Sequence, residues 1–176
     1  GAAGVAVFNL TRTEGGIIRR VPMVVLVEGK NADDTPVIRR VPTLSIEALR
    51  VGQSAPSNQR KTTHGSGQFD FSGGISIASI RTGNVVVPLD EDGALRVHFS
   101  GAEAERVIPA HKILGPDGLD PEVAKDLAGK IVLVGTSVTG LFDLVRTPVS
   151  ERIPGVHVHA EIVEQIIDGV YLYLPE

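Results

Sequence analysis

The apolar positions of the chain follow strand periodicity in its first half and helical periodicity near its end. Residues 4–10 and 17–27 are rich in β-branched side chains and predict strands, the second interrupted at Pro22. Residues 75–80 fit a short strand or a short helix, because the run is too short for its period to decide. Residues 131–134 have no polar face, which is typical of a central, buried strand.

Three segments predict helices. In residues 43–51, Thr43 can cap the first turn, and Leu44 and Ala48 share one face. A short helix starts after Asp120, with proline at its first position, and ends at Gly129. The last helix spans roughly residues 156–168. Its apolar residues recur at helical spacing: Val158, Ile162, Val163, Ile166 and Ile167.

Turn signals divide the remaining chain. The sequence Asp-Glu-Asp-Gly at 90–93 lies between apolar runs at 85–89 and 94–99, which predicts a β-hairpin. Residues 52–74 are rich in glycine, serine and polar side chains and predict a long exposed loop. The pentapeptide Ile-Arg-Arg-Val-Pro occurs at 18–22 and at 38–42, which indicates two similar edge strands or a coincidence. Together these elements predict one mixed α/β (α+β) domain over residues 1–176, with a β-sheet, a hairpin region and a strand–loop–helix unit.

Composition narrows the function classes. The chain has 176 residues, 42% of them hydrophobic and 22% charged, as in ordinary globular domains. Its net charge of −4 argues against a nucleic-acid partner, for which clustered basic charge is expected. Without cysteine it has neither a disulfide framework nor a thiolate metal site.

The loop after residues 131–134 is the first candidate for chemistry. Gly135-Thr136-Ser137 could cradle an anion through hydroxyls and backbone amides. The loop matches neither of the glycine-rich phosphate motifs, and no lysine follows it to meet a phosphate. A nucleotide site is therefore disfavoured, and the sequence implies no cofactor.

A metal site is the second candidate. His157 and His159 could bind a metal together with Glu161 and Asp143, as in a stand-alone metal-dependent hydrolase. In a strand the two histidines share a face, whereas in a helix they point about 200° apart. Since helical periodicity starts near Val158, the pair is expected to diverge, and His159 to serve as a capping or hydrogen-bonded side chain.

The order of parts in residues 129–169 resembles the C-terminal signature of the type-two CHASE family. The motif comprises an apolar strand, Gly-Thr-Ser, an Asp-containing loop, Thr-Pro, Pro-Gly-Val and His-Ala. Residues 87–101, with Pro-Leu-Asp-Glu-Asp-Gly, and residues 15–22 with 44–49 are similar to earlier parts of that family. The family commonly has an acidic residue where His157 stands. Its first part, with a Trp-containing segment, has no counterpart here, since the chain has no tryptophan.

This resemblance implies that residues 1–176 are a single extracytoplasmic sensor domain, or its C-terminal part, held between membrane spans of a bacterial receptor. It implies a small-molecule or protein stimulus, a homodimeric receptor, and a cytoplasmic output domain such as a nucleotide cyclase or a kinase. The chain itself is then not an enzyme. A purely structural domain, which transmits without binding anything small, is a further alternative.

Within the resemblance, the loop after residues 131–134 is the predicted ligand site. Its expected polar contacts are Thr136, Ser137, Asp143 and Arg146. The remaining motif residues are expected to have structural roles: Gly135, Pro154, Gly155 and His159.

Overall fold

A computed structural model describes residues 2–10, 14–63, 76–101, 106–114, 118–136 and 144–173. In the described residues, three α-helices and several small antiparallel sheets form a mixed α/β domain, which confirms the predicted fold class. Single 3-10 turns lie at Glu14–Gly16 and Ala110–Lys112. In the described part of the chain, none of the helices is long and apolar enough to span a membrane.

Two strand pairs come from the first half of the chain. Strand β1 (Arg20–Pro22) pairs with β7 (Ala94–Arg96), and β2 (Val24–Lys30) pairs with β3 (Pro36–Pro42). The two copies of Ile-Arg-Arg-Val-Pro thus run into β1 and lie in β3, each in a two-stranded sheet. Pro22 and Pro42 are tolerated there because an edge strand leaves some backbone amides outside the ladder.

A three-stranded antiparallel sheet follows in the order β4 (Asn58–Thr63), β5 (Ser76–Thr82) and β6 (Val85–Pro88). The short run that fitted either period is therefore a strand. The prediction of a loop over residues 52–74 is wrong for Asn58–Thr63, which form β4. Residues 64–75 lie outside the described residues. Polar residues form β4 because ladder bonds to β5 satisfy its backbone groups.

Helices α1 (Leu44–Gly52) and α3 (Gly155–Ile167) pack against each other. Ile46 and Leu49 of α1 are buried, so the inward face differs from the predicted Leu44–Ala48 face. Thr43 occupies the cap position of α1, but its hydroxyl donates to the Met23 carbonyl at 3.5 Å instead of capping the helix.

The apolar face of α3 is the centre of the core. Val158, Ile162 and Ile166 are fully buried and Val163 nearly so, as predicted, whereas Ile167 is exposed. Full burial of a valine or isoleucine side chain stabilises a fold by about 1.5–3 kcal/mol. The rest of the core comes from α1, from the strands and from residues directly beside the strands: Ile18, Val21, Met23, Ile46, Leu49, Ile80, Val87, Leu95, Val97 and Ile153.

Helix α2 (Pro121–Leu127) begins as predicted, because Asp120 accepts a hydrogen bond from the Glu122 amide at 2.8 Å. It has no buried residue. The last strand pair, β8 (Leu144–Val145) with β9 (Ile153–Pro154), leads directly into α3.

The predicted hairpin of residues 85–99 is wrong in its pairing. The turn forms, with Asp90 bound to Ala94 through both backbone and side chain. Beyond that turn β6 joins β5 and β7 joins β1, so the two strands enter different sheets. Val87 of β6 and Leu95 of β7 are both buried in the common core, but in different sheets. A turn motif contains no information about which sheet each flanking strand joins.

Two predicted strands are absent at positions that the structure describes. Residues 4–10 form only one bridge, between Val7 and Thr43. Residues 131–134 form no strand, and Val134 is 92% exposed. The side chain of Ile131 lies beside Gly52 at the end of α1, and Gly135 lies beside Val156 in the first turn of α3. A helix cannot supply the backbone ladder that a strand needs, so this apolar run has no strand partner among the described residues.

Candidate functional site

The predicted ligand loop is only partly described. Thr136 is exposed, and Ser137 and Asp143 lie outside the described residues. The guanidinium of Arg146 is exposed and donates to Glu151 at 3.0 Å, while the Arg146 carbonyl accepts from the Ile18 amide at 2.7 Å. The assignment of a ligand site to this loop therefore stays a prediction.

Gly135 lies where the extended segment meets the first turn of α3. A Cβ atom at this position would lie 2.6 Å from Cγ1 of Val156, closer than real Cβ contacts. Only glycine lets the backbone approach the helix this closely without displacing Val156. The neighbouring Pro154 and Gly155 end β9 and start α3, with Gly155 buried.

His159 is a buried hydrogen-bonding node of α3, only 1% exposed. Its Nδ1 lies 2.8 Å from the Ser45 hydroxyl, and its Nε2 lies 2.9 Å from the Phe8 carbonyl oxygen. Because a carbonyl oxygen only accepts, Nε2 carries a proton and donates to it. His159 thereby connects α3 to α1 and to the N-terminal segment.

The metal hypothesis does not fit this geometry. Both His157 and His159 lie in α3, where residues two apart point about 200° from each other. The two ring nitrogens of His159 are already engaged by Ser45 and Phe8. Among the described residues no group of three His, Cys, Asp or Glu side chains could hold a metal ion. Asp143, the fourth proposed ligand, is outside the described residues.

A second buried polar group lies further along α3. Glu161, 2% exposed, accepts from the Ser100 amide at 3.0 Å and from its hydroxyl at 3.1 Å. Arg106 lies 3.8 Å from Glu161, forms an ion pair with Glu164, and donates to the Ser100 hydroxyl. Buried carboxylates are tolerated only when paired in this way, so Ser100, Arg106 and α3 hold each other in place.

Gln165 connects α3 to residues around the end of β7 and to the residues that follow the helix. Its amide oxygen accepts from the His98 amide at 2.8 Å, and its Nε2 donates to the Arg96 and Val170 carbonyls at 3.1 and 3.3 Å. The position of α3 is thus coupled to the segment that follows β7 and to the residues after the helix.

A third polar group lies at the junction of α1 with β4. Arg50 donates to Glu47 through Nε at 2.9 Å and through Nη2 at 2.6 Å, and to the Ala55 and Ala3 carbonyls. Hydrogen bonding to Glu47 raises the pKa of Arg50. Asn58 donates to the other Glu47 oxygen at 3.1 Å, while its own Oδ1 is buried without a partner among the described residues.

The sequence pattern did not reveal Glu161, Gln165 or Glu47 as buried. Each is next to a buried isoleucine on its helix (Ile162, Ile166 and Ile46), so the helical period places it toward the edge of the inward face. A polar residue beside a buried isoleucine was the available signal, but most of its partners come from distant parts of the chain and cannot be inferred from the local sequence.

The chain is similar to known proteins at the level of the family. A family model described as the CHASE2 domain matches residues 1–175. No curated protein and no solved structure matches the chain.

Proposed function

Since the chain belongs to the CHASE2 family, a family of extracytoplasmic sensor domains of membrane receptors, we propose that it is the input domain that regulates a cytoplasmic nucleotide cyclase or kinase. The match of the family model over residues 1–175 is the observation that carries this proposal. In the proposed receptor, membrane spans flank the domain, two copies form a dimer, and the stimulus is a small molecule or a protein. The domain itself catalyses no reaction.

Helix α3 is the proposed transmitting element. It packs against α1, β6 and β9, and its buried side chains His159, Glu161 and Gln165 bind segments far apart in the sequence. A stimulus changes output only by binding one arrangement of the receptor better than another. A helix held on several sides by specific hydrogen bonds suits that requirement, because it moves as a unit between discrete packings.

The test uses the full-length protein in membranes, with cyclic-nucleotide formation and phosphotransfer measured for wild type and for Gln165→Leu. Loss of the hydrogen bonds to Arg96, His98 and Val170 is expected to change the basal output severalfold. Gln59→Leu is the matched control, since Gln59 is exposed on β4 and should leave the output unchanged. Absence of both activities from the full-length protein contradicts the proposed output, and equal effects of the two variants contradict the role of α3.

The location is tested separately. Alkaline phosphatase, which is active only outside the cytoplasm, is fused within the full-length protein directly after the domain, and a cytoplasmic fluorescent reporter is fused at the same position. Phosphatase activity with a dark fluorescent fusion is expected. The opposite pattern contradicts an extracytoplasmic location for this chain.

A further inference from the structure

A cavity of about 410 Å³ lies where the β2–β3 pair, α1 and the β4–β5 pair meet. This volume is within the range of about 300–1,000 Å³ that is usual for small-ligand sites. Polar side chains on its wall are Arg40, Glu47, Arg50 and Asn58. Apolar side chains, among them Val5 and Val24, form another part of the wall. The cavity thus combines an apolar surface with a small number of placed polar groups.

The charges of the cavity do not cancel. Glu47 and Arg50 neutralise each other in an ion pair that is mostly shielded from solvent, and Asn58 binds the remaining oxygen of Glu47. The backbone of Arg40 pairs with Leu26 in the ladder, but its guanidinium has no ion pair or hydrogen bond with the described residues, and the side chain is exposed. One guanidinium with unused donors therefore remains on the wall of the cavity.

The alternation of side chains along β3 places the Arg40 guanidinium on the face that lines the cavity. Arg40 and Pro42, two residues apart, both line it, as expected for side chains on the same face of a strand. The neighbouring Arg39 is on the opposite face of β3 and does not line the cavity. The twin arginines of the sequence thus differ in surroundings although they are adjacent.

We propose that this cavity is a binding site for small organic carboxylates that carry an apolar body. The carboxylate accepts hydrogen bonds from the Arg40 guanidinium, whose planar fork matches its two oxygens. The apolar body lies against Val5 and Val24, while the Glu47–Arg50 pair remains intact as a neutral, fixed wall. The proposal concerns binding alone and stands whether or not the chain regulates a cyclase or a kinase.

The experiment measures binding of acetate, butanoate and benzoate, and of the uncharged benzamide, to the purified full-length protein by calorimetry. Benzoate is expected to bind more tightly than acetate, since only its ring uses the apolar wall, and benzamide is expected not to bind. Arg40→Gln should weaken benzoate binding about tenfold to a hundredfold, the loss expected for a charge-assisted hydrogen bond.

Two arginine variants serve as controls. Arg39→Gln removes the same charge from the same strand and is expected to leave the affinity within about twofold, since exposed charges interact weakly. Arg146→Gln removes the cation of the predicted loop site. Equal losses for Arg39→Gln and Arg40→Gln, or a loss for Arg146→Gln alone, overturn the proposal. So does equal affinity for acetate and benzoate, or no binding of any carboxylate at about 10 mM.

Discussion

At the scale of single residues, the buried polar side chains distinguish this molecule from a simple apolar core. Glu161, with 2% exposure, and Glu164, with a side chain 41% exposed, are one turn apart on α3 and both lie near Arg106. Only the buried carboxylate also accepts two hydrogen bonds from Ser100. The two glutamates therefore make very different contributions to stability, although the sequence presents them alike.

Glu161→Gln tests this difference. The glutamine amide has no charge to face Arg106, and one carboxylate oxygen that accepts from Ser100 becomes an NH2 group that can only donate. The free energy of unfolding should therefore fall by about 1–3 kcal/mol. Urea unfolding followed by circular dichroism measures the loss. Glu164→Gln is the matched control and should cost less than about 1 kcal/mol, as is usual for exposed ion pairs. Equal losses for the two variants would show that burial does not decide the contribution of Glu161.

At the scale of elements, sequence motifs predicted structure most reliably where the hydrogen-bonding partners are only a few residues apart. Asp120 caps α2 through the Glu122 amide, and Gly129 follows the helix with a φ of +72°. Glycine accepts that left-handed conformation without strain. Strand pairing was harder to predict from the sequence, because β6 and β7 flank one turn but join different sheets.

Asp120→Ala should destabilise α2 locally by about 0.5–2 kcal/mol, because the Glu122 amide loses its acceptor. Helix α2 has no buried residue, so the loss should increase amide hydrogen exchange within 121–127 and leave α3 unchanged. Asp126→Ala is the control. It removes a carboxylate from the last turn, where negative charge is unfavourable, and should slow exchange slightly or leave it unchanged. Faster exchange throughout α3 in Asp120→Ala would contradict the local role of this cap.

At the scale of the whole molecule, α3 organises the fold by contacts with segments from the whole length of the chain. Phe8 and Ser45 bind it through His159, Ser100 through Glu161, and Arg96 through Gln165. The extended residues 131–136 meet its first turn at Gly135.

Gly135→Ala tests the contact between the extended segment and α3. The added methyl group would overlap Val156, and overpacking of this kind should lower the free energy of unfolding by about 1–3 kcal/mol. The double variant Gly135→Ala with Val156→Ala should recover part of the loss, since the smaller side chain makes room. Thermal and urea unfolding measure both variants.

Gly29→Ala provides the comparison for that substitution. Gly29 lies in β2, and a Cβ atom there would have no neighbour within 4 Å. The change should be neutral or stabilising by up to about 1 kcal/mol, because alanine lowers the entropy of the unfolded chain. A loss at Gly29 equal to that at Gly135 would mean that steric contact with α3 is not the cause.

The sequence by itself determined the fold class, the last helix with its inward apolar residues, the cap of α2, the turn at 90–93 and the family. These features depend on neighbours within a few positions or on a motif in fixed order, so the local chain contains the necessary information. Only the tertiary structure decided that β6 and β7 separate, that residues 131–134 remain unpaired, and that Glu47, Glu161 and Gln165 are buried with partners. Each of these depends in part on groups more than ten positions away, whose approach follows from burial in a common core.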